Sequence, residues 1–151
     1  MKRSRIAAVI LIAVFCFSFI CGCDPVNGIV ELSQNSYYDR MIIKDGKVYM
    51  LCQLEFVNNS RYDLSADVIA SSAEDAENGL LKDRSLKLYI VSADSLSDVN
   101  EDNVEELLEP AGRIRISGHG TVQYCACFVG EHGGGMQKHD RELPDIIRII
   151  S

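Results

Sequence analysis

Asp98, Asn100, Asp102 and Glu109 stand at positions 1, 3, 5 and 12 of the loop pattern in which oxygen ligands converge on a calcium ion, the twelfth giving two oxygens. Position 6, where the pattern needs glycine for a sharp turn, is Asn103, and position 8, usually apolar, is Glu105. The same residues spell a surface helix over 101–108, with Asp98 or Asn100 as cap, Val104, Leu107 and Leu108 as the inward stripe and Pro110 as the stop. A calcium loop also needs flanking helices, whereas strand patterns flank this one. The helix is the expectation, with the four oxygen-bearing residues as the weaker metal alternative.

Two other groups invite a chemical reading. His132-Gly133-Gly134-Gly135 matches the oxyanion-hole loop of some esterases, but no Gly-x-Ser-x-Gly elbow occurs anywhere in the chain to supply a nucleophile. A glycine-rich hairpin loop is the plainer reading, and the stretch from Gly130 to Lys138 lacks the spacing of a phosphate loop. Cys125 and Cys127 lie two apart on one predicted strand and so share a face, with His119 at its entrance and His132 and His139 beyond it. Zinc would need at least two further ligands on that face, and no other pair has finger-like spacing. No cofactor is expected, and no catalytic residue is nominated.

These residues need elements to hold them. Met41 to Lys44 and Lys47 to Asn58 flank Asp45-Gly46, the dipeptide that best accommodates the two positive φ angles of a tight hairpin. Along the second arm Val48, Met50, Cys52, Leu54 and Phe56 alternate with Lys47, Tyr49, Gln53 and Glu55, which predicts burial of the first set and exposure of the second. Asn58-Asn59-Ser60 predicts a turn, and further strands follow over 64–70, 86–91, 113–117, 121–129 and 144–150, with an edge strand near Ile29 to Leu32. Ser72 can cap a short helical turn that Gly79 ends. On the strand over 121–129, Val122, Tyr124, Ala126 and Phe128 share the inward face, which leaves Cys125 and Cys127 pointing out of the core and opposite in direction to Cys52. Free thiols are therefore expected, with a bridge from Cys52 to one of the pair as the alternative.

Seven or eight short antiparallel strands with only one or two helical excursions predict an all-β chain, folded as a two-sheet sandwich. The apolar strand that ends in Asn58-Asn59-Ser60, followed later by the Gly118-His119-Gly120 turn into another strong strand, resembles the immunoglobulin-like sandwiches of exported bacterial proteins. That resemblance covers about 42–150 and implies a fold class without an activity.

The amino terminus places the domain. Lys2, Arg3 and Arg5 precede an apolar run from Ile6 to Ile20 that only Ser18 interrupts, followed by Cys21, Gly22 and Cys23. Charged start, apolar middle and small-residue exit make a secretory signal peptide. The exit resembles the lipobox of bacterial lipoprotein precursors, with Ile20 at −3, Cys21 at −2 where small or hydroxylated residues are usual, Gly22 at −1 and Cys23 as the lipid carrier. It implies residues 1–22 as signal peptide, 23–40 as lipidated cysteine and tether with an edge strand, and 41–151 as the sandwich. An uncleaved membrane helix and ordinary signal cleavage are the alternatives.

Three of the 15 basic residues precede Cys23 and all 22 acidic ones follow it, so the remainder carries 12 basic residues and a net charge of −10. Such a surface disfavours nucleic acid and anionic lipid as partners. The expectation is a membrane-anchored extracytoplasmic lipoprotein acting as a non-enzymatic binding module, with a protein or envelope partner that the sequence does not specify. Its contacts are expected at His119 in the Gly118–Gly120 turn and at His132, Lys138 and His139 in the glycine-rich loop. A calcium- or zinc-dependent module is the second reading and an exported hydrolase the third.

Overall fold

The computed structural model describes residues 30–136, 142–144 and 146–150; Cys23, the leader, Lys138 and His139 lie outside them. Within these residues the chain is mostly antiparallel β-sheet: β1 (Val30–Leu32), β2 (Tyr37–Lys44), β3 (Lys47–Asn58), β4 (Leu64–Ser71), β5 (Ser85–Val91), β6 (Leu108–Pro110), β7 (Ile114–Ile116), β8 (Thr121–Glu131) and β9 (Ile146–Ile150). One short helix, α1 (Ala73–Glu77), is capped by Ser72, whose hydroxyl accepts from the Asp75 amide, and Gly79 with φ +79° turns the chain out of it. No helix among the described residues is long and apolar enough to cross a membrane.

Asp45 (φ +49°) and Gly46 (φ +75°) make the two-residue turn that the sequence predicts, and β2 and β3 pair through Lys44↔Lys47. The sheet begins well before Met41, since β1 and then β2 follow one edge of β3 in succession. Ser33 to Ser36 bridges the two: the Ser33 amide donates to the Glu55 carbonyl at 2.8 Å and the Glu55 amide to the Ser36 hydroxyl at 2.9 Å. β8 covers the other edge of β3 from Lys47↔Glu131 to Val57↔Thr121. β5 then pairs with β8, and β4 joins β5 only at Ala70↔Leu86 and Ser71↔Ser85. β4 also pairs with β9 over Asp67 to Ser71, on the edge opposite β5, and with β7 over Leu64 to Ala66, while β5 pairs with β6.

The sheet curls so that its far end faces its middle. Val48, Met50, Cys52, Leu54 and Phe56 of β3 and Ala126 and Phe128 of β8 pack with Ala66 and Ala70 of β4 and Ile114 and Ile116 of β7 in one core. Asn58 closes one end of it. Its buried side-chain amide donates to the carbonyls of Tyr62 (2.7 Å), Ile116 (3.1 Å) and Ser117 (3.1 Å), while its carbonyl accepts from the Ser60 amide (2.9 Å). The predicted Asn-Asn-Ser turn is thus tied to the turn that precedes β8.

Two expectations are corrected. The outward face of β3 is not solvated: Tyr49, Leu51 and Cys127 are buried in a second apolar cluster with Ile42, Val91, Leu96, Val99 and Val104. The cover is the 92–107 excursion, whose predicted helix over 101–108 is a succession of turns running into β6. Asparagine accounts for that outcome. The Asn100 side-chain oxygen accepts from the amides of Asp102 and Asn103, the Asn103 oxygen accepts from the Asn100 amide, and the Asn103 amide group donates to the Asp98 carbonyl. Side chains that bond the local backbone compete with helical hydrogen bonds. Asn100 does cap these turns, and Val104 does point inward, fully buried.

Burial on both faces makes a quantitative expectation. Leu51, on the outward face, and Leu54, on the inward face, are both fully buried. Each change to alanine should cost about 2–5 kcal/mol, measured by urea unfolding; a solvated outward face would make Leu51→Ala nearly silent.

Candidate functional site

β8 separates the two loops at which contacts are expected. Gly118-His119-Gly120 precedes its first residue and residues 132–136 follow its end, so the ten steps from Thr121 to Glu131, about 33 Å at 3.3 Å per residue, lie between them. His119 and His132 are at opposite ends of the fold and form no joint site. His119 is exposed at φ +54°, and its amide donates to the Ser60 carbonyl at 2.7 Å.

The glycine-rich loop uses its glycines on its own chain. The Gly133 amide donates to the Leu80 carbonyl and the Gly135 amide to the Gly79 carbonyl, each at 2.8 Å, while the His132 amide donates to the Gly46 carbonyl at 2.8 Å. A Cβ on Gly133 would sit 2.4 Å from the Gly79 oxygen, and one on Gly135 2.6 Å from the Gly79 carbonyl carbon. The His132 ring nitrogen Nε2 lies 3.1 Å from the Gly135 oxygen. The close approach anticipated for a ligand is thus taken by the Gly79–Leu81 segment.

Among the described residues no three His, Cys, Asp or Glu side chains gather as a metal would require. In the acidic stretch the Asn100 oxygen is committed to backbone amides, and Glu109 lies in β6, paired with Ile90. Cys125 and Cys127 do share the outward face, as spacing requires, but that face is covered: Cys127 is fully buried and Cys125 half-buried. Burial pushes both thiols above their ordinary value, which leaves them as poor nucleophiles. Among the described residues the cysteines form no disulfide, and Cys52 lies on the opposite face of the sheet.

The outward face carries two carboxylates held ionised. Glu55, 8% exposed, receives the Asn35 amide (2.8 Å) and the Gln123 amide; bonds from Ser33, Gln123 and Asn35, in that order, hold its carboxyl below the usual range. Glu105 accepts from the buried Tyr49 hydroxyl and lies 3.4 Å from the Lys47 ammonium; the Tyr49 bond is the main cause of its lowered pKa. Burial, then that bond, pushes the Tyr49 hydroxyl above its ordinary value. Alongside, the Arg40 guanidinium donates to the carbonyls of Leu96 and Val99 and lies 2.6 Å from Asp39. These groups fasten the 92–107 segment to β2 and β3. Such carboxylates accept hydrogen bonds and are poorly matched to proton donation near neutrality.

A further feature is a cleft of about 370 Å³ between β4 and β5, lined by Val68, Ile69, Lys87, Leu88, Pro110 and Gly112 among others. No sequence motif marks it, because it arises where two strands part. No family model, curated protein or solved structure matches the chain.

Gly133→Ala should cost about 1–3 kcal/mol, the usual penalty of overpacking, in urea unfolding, whereas a glycine reserved for a ligand would leave stability unchanged. Glu105 should confer a pH-dependent stabilisation. Its folded-state pKa is depressed, so the contribution is present above the ordinary glutamate value of about 4.3 and is lost as pH falls through the lower folded value. Glu105→Gln should therefore lower the urea midpoint at neutral pH and converge on the unmodified protein as the pH falls through the lowered folded-state value.

Proposed function

We propose that the protein is a membrane-anchored extracytoplasmic lipoprotein whose folded part is a non-enzymatic binding module. The observation that carries this reading is the pattern of Lys2, Arg3 and Arg5, the apolar run from Ile6 to Ile20, and Cys21-Gly22-Cys23. In such precursors the thiol of the cysteine, here Cys23, takes a diacylglyceryl group, the preceding segment is cleaved, and the new amino terminus is usually acylated. Two or three acyl chains at about 0.8 kcal/mol per buried methylene hold a domain stably, where one chain holds it marginally.

Two features support the binding part of this reading. The curled sheet packs β3 and β8 against β4 and β7 across one core, in keeping with an immunoglobulin-like sandwich, an architecture that commonly serves as a scaffold for contact surfaces. Its ionised carboxylates and buried thiols have structural employment, which leaves recognition as the better account. The net charge of −10 beyond Cys23 points to partners other than nucleic acid or an anionic bilayer surface.

Mass spectrometry of the amino-terminal peptide from membrane-purified protein tests the anchor. The expected species is an acylated Cys23; an intact Met1, or a free amine beyond Cys23, would overturn it.

A further inference from the structure

We infer that the cleft between β4 and β5 binds a short extended peptide segment through its backbone amides. The register carries the argument. Ala70↔Leu86 and Ser71↔Ser85 set β4 against β5, so Ile69 and Lys87, then Val68 and Leu88, are the next pairs in an uninterrupted antiparallel ladder. Among the described residues those pairs are not made. Asp67 to Ser71 pair with β9 and Lys87 to Ile90 with β8, each on the edge away from the cleft. The opposing edges of 67–69 and 87–88 thus face each other without a ladder partner.

The surrounding chain gives this opening its limits. Ala70↔Leu86 closes one end, and Pro110, Ala111 and Gly112, on the way from β6 beside β5 to β7 beside β4, form the other. The cleft is open to solvent along its length, and its volume of about 370 Å³ falls within the roughly 300–1,000 Å³ of small-ligand sites. Strand edges recognise extended peptides by main-chain hydrogen bonds, with side-chain pockets adding selectivity. Here a segment of two or three residues meets an edge on each side. Exposed Ile69 and the partly buried Val68 and Leu88 offer apolar contact and Lys87 a cation, while Asp67 is held by Arg113 at 3.4 Å. The closed ends select a chain terminus or a turn tip over a continuous strand. This inference rests on the binding-module part of the proposed function and is independent of the lipid anchor.

The test is amide NMR of the isotope-labelled full-length chain in detergent micelles, titrated with acetyl-Val-Thr-Val-amide and with the same peptide N-methylated at its amides. Saturable shifts at Val68, Ile69, Lys87 and Leu88 are expected, with the N-methylated peptide binding at least about tenfold more weakly because its donors are gone. Gly112→Trp should abolish the shifts: Gly112 lines the cleft, and a Cβ there meets nothing within 4 Å, so the larger side chain starts from open space. Ala111→Arg serves as a second block should the first variant alter the rest of the spectrum. Absence of saturable shifts, equal binding of both peptides, or unchanged binding in a folded blocking variant would overturn the inference. Any of these results would leave an acylated Cys23 untouched, and a missing acyl group would leave the cleft untouched.

Discussion

Burial of β3 on both faces is the constraint on which the rest of the structure depends. An antiparallel strand commonly keeps one face in water, and its sequence then alternates. β3 alternates only in part: Tyr49 and Leu51 stand among its outward residues, and both are buried. A sheet with such a strand at its centre needs two covers. The inward cover comes from the sheet itself, which curls until β4 and β7 lie over β3 and β8. The outward cover has no strand available and is built from an irregular segment carrying Leu96, Val99 and Val104.

An irregular cover leaves backbone carbonyls without a ladder, and they need donors. Arg40 supplies them for Leu96 and Val99, and the Tyr49 hydroxyl meets Glu105 on the same segment. The charged groups of the acidic excursion are therefore partly structural. Their arrangement explains why a stretch so rich in carboxylates and amides gathers no shared ligand cage: asparagine oxygens face amides of their own turns.

Much of the fold was legible because it rests on local chemistry. Asp45-Gly46, the Ser72 cap and the alternation of Val122, Tyr124, Ala126 and Phe128 each specify their element within a few residues. The outward core was not legible, because Leu51 and Cys127 belong to a face whose cover lies some forty residues away in sequence from one and some thirty from the other. The helix over 101–108 failed for a reason also present locally, the placing of Asn100 and Asn103 where their side chains could replace helical bonds. At the glycine-rich loop the partner of the close approach was not legible. Glycines at 133 and 135 signalled close approach, and close approach occurs, but to Gly79 and Leu80. The cleft between β4 and β5 has no signature because it depends on where pairing stops, which register alone decides.

The edge position of β1 decides at which end the chain enters the fold. Val30 pairs with Asn58, whose amide donates to the Gly120 carbonyl, so the chain enters at the end that holds His119. Under the lipidation proposed at Cys23, the seven steps from Cys23 to Val30, at most about 3.5 Å each, would limit the leash to roughly 25 Å. On that proposal the His119 end is the one nearest the tether, and the Gly46 and Gly133 end lies a strand length of β3 and β8 farther along.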